Sequence, residues 1–171
     1  MSRRLANIAL CAALLALAGC AHAPASTTRS ELKLQQPLPG LFTAGQPAPT
    51  DWAAIRARGV RTVINLRPAQ ELAGRDEAAE VRAAGMEYLE IPVAGADGVT
   101  VANAQRLHDA LQPRHAGVLV HCASGNRVGG LLALEQADFD GMAPQAALDL
   151  GRAAGMTGTE PRVRQMLGIA H

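Results

Sequence analysis

From residue 37 onward the chain alternates short, β-branched apolar runs with segments of helical periodicity. Val60 to Leu66 reads as a buried strand stopped by Arg67-Pro68, and Gly117 to His121 as another, apolar up to its histidine. Met86 to Pro92 alternates polar and apolar side chains, as a strand does, and Leu41-Phe42-Thr43 reads as a short edge strand. Helices with marked ends lie between them. Thr50 can cap one that runs through Arg58 and stops at Gly59; Asp76 to Ala84 is closed by Gly85; Thr100 caps a helix through Leu111. Further helices are predicted from about Arg127 to Phe139, from Pro144 to Gly155 and over about Glu160 to Leu167, with Pro144 at a first helical position. This alternation predicts one α/β domain over residues 37–171, a central, mostly parallel sheet of about four to five strands flanked by helices.

The start of the chain follows a different pattern. Arg3 and Arg4 precede an apolar run from Leu5 to Ala18, broken only by Asn7. Such a run is shorter than the roughly 20 residues a membrane span needs, and a basic start before it reads as a secretory signal, here residues 1–19. The run ends in Leu17-Ala18-Gly19-Cys20, which resembles the lipobox of bacterial lipoproteins. That resemblance implies cleavage before Cys20, a lipid on its sulfur, and a membrane anchor on the periplasmic side of the cell envelope. Ala21, rather than Asp, after the cysteine leans toward the outer membrane in that family. Residues 20–36 are then a lipidated cysteine and a flexible tether rich in Ala, Pro, Ser, Thr and Gln.

Charge and cysteine count narrow the chemistry. Removing Arg3 and Arg4 from the 16 basic residues leaves 14 against 15 acidic ones, so no basic excess points to nucleic acid. Of three cysteines, Cys11 leaves with the signal and Cys20 is acylated. Cys122 is then the one free thiol, which excludes an intramolecular disulfide and a cysteine zinc cluster. A lone thiol in an oxidising compartment is either buried and inert or kept for its reactivity.

The segment around it reads His121-Cys-Ala-Ser-Gly-Asn-Arg127. A buried strand delivers Cys122 to its carboxyl end, where ligands collect in open α/β sheets. A short loop then turns into a helix, whose amino end can lower a thiol's pKa from about 8.5. Backbone N–H groups of Ala123, Ser124, Gly125 and Asn126 can cradle an anion, with Gly125 at the turn. Arg127 offers a permanently charged, two-pronged fork for an oxyanion.

His-Cys-x-x-Gly-x-Arg resembles the signature loop of the cysteine-dependent tyrosine and dual-specificity phosphatases. Gly40-Leu-Phe-Thr-Ala-Gly-Gln-Pro47, Thr62-Val-Ile-Asn-Leu-Arg-Pro68 and Tyr88-Leu-Glu-Ile-Pro-Val93 resemble its bacterial branch, the beta-lactamase hydrolase-like phosphatases. The similarity covers about residues 37–168. It implies a phosphatase-like fold and a Cys122 thiolate that attacks phosphorus to give a thiophosphate intermediate. It also implies that Arg127 holds the phosphoryl oxygens and that an aspartate on a nearby loop protonates the leaving group. Asp97 is the one carboxylate on the loop after the preceding strand; as Asp-Gly it is also a common turn pairing. His121 is read as support for the loop. Asn65, Arg67 and Gln46 are candidates for the substrate entrance. The implied partner is a phosphorylated protein or a small phosphate ester.

Two departures keep other readings open. Four residues separate Cys122 from Arg127, against five in the classical tyrosine phosphatases, and four is also a rhodanese-type sulfurtransferase spacing. Val128 stands where the classical loop has a Ser or Thr that assists the departing thiolate. A persulfide-carrying sulfurtransferase and a non-catalytic anion-binding envelope lipoprotein are the alternatives. No metal site and no dinucleotide fingerprint is read, so no cofactor is expected; His108 is read as a residue of a solvated helix face and His115 as part of a turn.

Overall fold

The computed structural model describes residues 32–114 and 116–170. The signal peptide, Cys20 and most of the tether lie outside the described residues, as does His115. Five strands form one sheet: β1 (Gln35–Leu38), β2 (Leu41–Ala44), β3 (Thr62–Asn65), β4 (Glu87–Glu90) and β5 (Val118–His121), in the order β1-β2-β5-β3-β4. β1 runs antiparallel to β2 and the other pairings are parallel. Among the described residues six α-helices accompany them: α1 (Trp52–Ala57), α2 (Glu77–Ala83), α3 (Val101–Leu111), α4 (Asn126–Asp138), α5 (Pro144–Ala153) and α6 (Glu160–Met166). The α/β architecture with a mostly parallel sheet is the one the hydrophobic pattern predicts.

Side-chain alternation along the strands makes two cores. Val118 and Val120 of β5, with Ile64 of β3, pack with the buried residues of α3 and α4. Leu119, with Phe42 and Val63, packs with Trp52 and Ile55 of α1 and Val81 of α2. Parity therefore sends His121 to the α1/α2 side, as the residue two beyond Leu119. Leu119, Ile64 and Leu131 are fully buried, each contributing about 1.5–3 kcal/mol of transfer free energy.

The caps follow the sequence. Asp76 accepts from the Ala79 amide at 2.9 Å and Thr100 from the Asn103 amide at 3.2 Å, each satisfying an otherwise unpaired donor. The first helix starts at Trp52, with Asp51 rather than Thr50 at its cap position. Two boundaries are corrected. The tether reading ran to residue 36, yet Gln35 already pairs with Thr43 in β1, and Leu32 and Leu34 pack on the α1/α2 core. β2, expected at the edge, is therefore an inner strand that β1 covers. Among the described residues no helix is long and apolar enough to cross a membrane.

Gly129 and Gly151 let α4 and α5 touch backbone to backbone. A Cβ at Gly129 would lie 2.4 Å from the Gly151 carbonyl oxygen and the Met156 nitrogen. These glycines serve helix packing, behind the loop that holds Cys122.

Candidate active site

Register brings the site together. Ala44, His121 and Asn65 lie side by side at the carboxyl ends of three neighbouring parallel strands. Gln46 and Arg67 are each two residues beyond that row, and Cys122 is one beyond it, so all three emerge on one sheet edge. β5 is central, which sets its carboxyl end between the loops of β2 and β3.

Cys122 is buried, and its sulfur accepts the Gly125 N–H at 3.2 Å. Gly125 takes φ +89° immediately before α4, a conformation that L side chains rarely adopt, and this turn aims its amide at the sulfur. Ala123 and Ser124 are exposed at the loop tip. The Ala123 carbonyl accepts the Gln46 backbone amide at 3.1 Å, which fastens the loop to the segment after β2. On its other side, Asn126 Oδ1 accepts the amides of Thr157 (2.8 Å) and Thr159 (3.0 Å). The Asn126 side chain thus ties the start of α4 to the segment before α6. Val128 is fully buried.

Arg127 occupies the first turn of α4 and is buried. Its Nη1 donates to the Val93 carbonyl at 2.7 Å and to Glu71 Oε1 at 2.9 Å, and its Nη2 donates to Glu71 Oε2 at 2.6 Å. Burial opposes the arginine's charge, but Glu71 and then Cys122 outweigh it and hold its pKa above the ordinary value. In turn Arg127, with help from Arg67, holds the Glu71 carboxyl below its ordinary value against a smaller opposing effect of burial.

Glu71 is the functional neighbour that sequence reasoning missed. It ends a short 3-10 turn, Ala69–Glu71, on the loop after β3. The available signal was its place on the same sheet edge as Cys122, one loop away from the loop searched for a carboxylate.

Arg67 joins Glu71 to Gln46. Its Nε lies 3.4 Å from Glu71 Oε2, its Nη2 donates to the Glu71 backbone carbonyl, and its Nη1 donates to Gln46 Oε1. Gln46 Nε2 donates to Glu77 Oε2 and, at 3.1 Å, to the Pro47 carbonyl. Glu77 Oε1 lies 2.8 Å from His121 Nε2, and both side chains are fully buried. The contact is close, although neither His121 nitrogen makes a well-directed hydrogen bond. Burial alone would push the Glu77 carboxyl up; His121, Gln46 and Arg75 outweigh it and hold it low. Trp52 packs against this pair, its ring edge-on to His121 with centroids 6.3 Å apart.

The site candidates therefore separate. Cys122, Arg127 and the loop from His121 to Asn126 come together, and Arg67 and Gln46 stand beside them. Asn65 is corrected. It is fully buried, its Nδ2 donates to the Tyr88 hydroxyl at 2.9 Å, and its Oδ1 accepts the Arg67 amide at 2.8 Å. Strand parity turns it to the α2 side, so it shapes the Arg67 turn and does not line an entrance. Asp97 is fully exposed, 3.7 Å from Arg162 Nη1, on the loop that starts at the Val93 carbonyl held by Arg127. Arg162 fastens this loop through the Val99 carbonyl at 2.8 Å and the Asp97 carbonyl at 3.2 Å.

At the other end of the sheet, His108 is not a solvated residue. Its Nδ1 lies 2.9 Å from Glu135 Oε1, and its ring tilts against Phe139. With Asp140 these are the one group among the described residues with three potential metal-ligand atoms within 4.8 Å of one another. Their contacts with one another and with Gln136 account for the arrangement.

A buried thiol at a central strand end, an amide aimed at its sulfur and a preset arginine define a domain of the cysteine-dependent phosphatase type. The comparisons agree. The model of the beta-lactamase hydrolase-like protein, phosphatase-like domain, matches residues 34–139, and the chain belongs to that family. A beta-lactamase hydrolase-like protein of Xylella fastidiosa (strain Temecula1) is 35% identical over 125 residues, 66% of this chain and 29% of the relative. One from Agrobacterium fabrum is 31% identical over 139 residues, 77% of this chain and 32% of the relative. The chain thus spans about a third of the length of the curated relatives it matches. Among solved structures, a DUF442 protein of Shewanella putrefaciens CN-32 superposes with TM-score 0.62 at 27% identity, over 81% of this chain and 91% of that one. P. aeruginosa TpbA in complex with phosphotyrosine shares the fold, with TM-score 0.58 at 21% identity over 83% of this chain and 99% of that one.

Proposed function

We propose that this domain hydrolyses phosphate monoesters, of phosphotyrosine, phosphoserine or small molecules, through a thiophosphate on Cys122. The observation that carries the reading is the buried Cys122 sulfur receiving the Gly125 N–H at 3.2 Å beside the fixed charge of Arg127. A donated N–H and a fixed cation thus meet at the sulfur that attacks. The thiolate attacks phosphorus, an S–P bond forms, and the P–O bond to the leaving group breaks. Arg127 and the loop amides take up the phosphoryl charge. Water then cleaves the S–P bond and releases phosphate and the thiolate. Asp97, on the loop that Arg127 and Arg162 fasten, is the proposed donor of the proton to the leaving oxygen.

Wild type and Asp97→Asn, assayed on p-nitrophenyl phosphate, an alkyl phosphate, and thiosulfate plus cyanide, test this reading. Wild type is expected to release phosphate and to form no thiocyanate. Thiocyanate formation would replace the phosphatase with a sulfurtransferase, which the four-residue loop favours; turnover of neither would leave an anion-binding protein. A positioned acid is worth about 10²–10⁴-fold. Asp97→Asn should lose that on the alkyl ester and lose little on the aryl ester. Equal losses on both esters would make Asp97 a turn residue only.

We also propose that a lipid on Cys20 tethers the domain to the periplasmic face of the envelope, a reading that rests on the lipobox-like segment. Cys20→Ser should move the protein from the membrane to the soluble fraction. Continued pelleting with membranes would overturn the anchor.

A further inference from the structure

The two residues that bracket the Cys122 loop are joined a second time, outside the loop. From His121 the contacts run to Glu77, then to Gln46, to Arg67, to Glu71 and back to Arg127. The ring closes through the loop itself. Gln46 is the amide of this ring, and both its ends are used: Nε2 donates toward Glu77 and Oε1 accepts from Arg67. Its own backbone N–H holds the Ala123 carbonyl at the loop tip. A carboxylate there would face Glu77 with no proton to give, and an ammonium or guanidinium would have nothing to offer Arg67. An amide satisfies both neighbours at once.

We infer that Gln46 is a positioning residue that couples the buried His121–Glu77 pair to the Glu71–Arg127 clamp, so that both ends of the loop are held for an oxyanion as one unit. The inference rests on the phosphatase reading of the site and adds a residue to it. Gln46 then acts through its neighbours without touching substrate, because its polar atoms are already committed. Hydrogen-bonded networks of this kind respond to a break anywhere in them, so two distant breaks cost little more than one.

The experiment uses the full-length chain and inorganic phosphate as probe. Protection of Cys122 from iodoacetate by phosphate is read by mass spectrometry at the Cys122 peptide, so Cys11 and Cys20 do not interfere. Gln46→Met, similar in size, should weaken phosphate protection about tenfold, which is about 1.4 kcal/mol. Glu71→Gln should weaken it as well, although Glu71 and Gln46 do not touch. The double variant should be no worse than the weaker single one. Losses that multiply, or wild-type protection in Gln46→Met, would overturn the coupling. A wild type that phosphate fails to protect would remove the phosphatase reading, and the coupling with it.

Gln46→Glu supplies a second readout that a merely structural role would not move. The groups facing this position are Glu77 and its neighbour Arg75, His121 on β5, and Arg67 after β3. Above neutral pH the substitution sets two carboxylates against each other, and protection should fall about tenfold or more relative to wild type. Below about pH 5 one of them takes a proton, a donor returns, and the ratio to wild type at the same pH should recover. The ratio cancels the ionisation of phosphate and of the thiol. A ratio that stays flat with pH would overturn the inference, including in the event that Gln46→Met fails to fold.

Discussion

Cys122→Ser is expected to abolish turnover of p-nitrophenyl phosphate, by about 10⁴–10⁶-fold, the scale of losing a covalent nucleophile. The reason lies in ionisation. A serine hydroxyl has no accessible anion near neutral pH, so the Gly125 N–H and the Arg127 charge have no anionic nucleophile beside them. The parts that bind remain. Gly125 keeps its φ of +89°, and Arg127 keeps its bonds to Glu71 and the Val93 carbonyl. Phosphate should therefore bind the variant about as well as wild type, measured by calorimetry because the alkylation target is gone. Residual turnover above about a tenth of wild type would exclude a covalent step on Cys122. A simultaneous loss of phosphate binding would show instead that the sulfur organises the loop.

Sequence reading reached the parts of the molecule whose determinants are local. Nucleophile, turn and clamp fall within the six residues from Cys122 to Arg127, so one strand–loop–helix unit fixes their geometry. The strands in the middle of the sheet were legible for the same kind of reason, since Val63-Ile64 and Val118-Leu119-Val120 put apolar side chains on both faces. β1 was not, because Gln-Gln-Pro-Leu carries no alternation and its partners, β2 and the core that Leu38 joins, are set by the fold. Glu71 was missed because a three-residue 3-10 turn has no period and its partner Arg127 lies 56 positions away. His108 was misread for a similar reason: the helix face it occupies is covered by Glu135, 27 positions on. Asn65 shows a different failure. Its position at the strand end was read correctly, but the parity of β3 turns its side chain away from the edge.

Arg127→Lys tests whether the clamp acts by charge or by shape, and kcat/KM is expected to fall on the order of 10³–10⁵-fold, the range for arginines directed at a transferring phosphoryl group. Lysine keeps the positive charge, so a site that needed only a nearby cation would lose little. The geometry argues otherwise. Arg127 already bonds both oxygens of Glu71 and the Val93 carbonyl from two nitrogens, and an ammonium on a flexible stem cannot reproduce that fork and still face the phosphoryl oxygens. Released from it, Glu71 keeps only Arg67, and the Val93 end of the Asp97 loop loses its donor. The pH dependence carries the same signature. Arg127, chiefly, holds the Glu71 carboxyl below its ordinary value. The contact is therefore present above the ordinary carboxylate range and is lost as pH falls through the depressed value, which sets an acid limit on the wild-type fold near the site. In Arg127→Lys that limit should move upward. Thermal melting from pH 3 to 7 and kcat/KM on p-nitrophenyl phosphate provide the two measurements. A variant within about tenfold of wild-type kcat/KM would mean that Arg127 is a point charge and that Glu71 is a bystander.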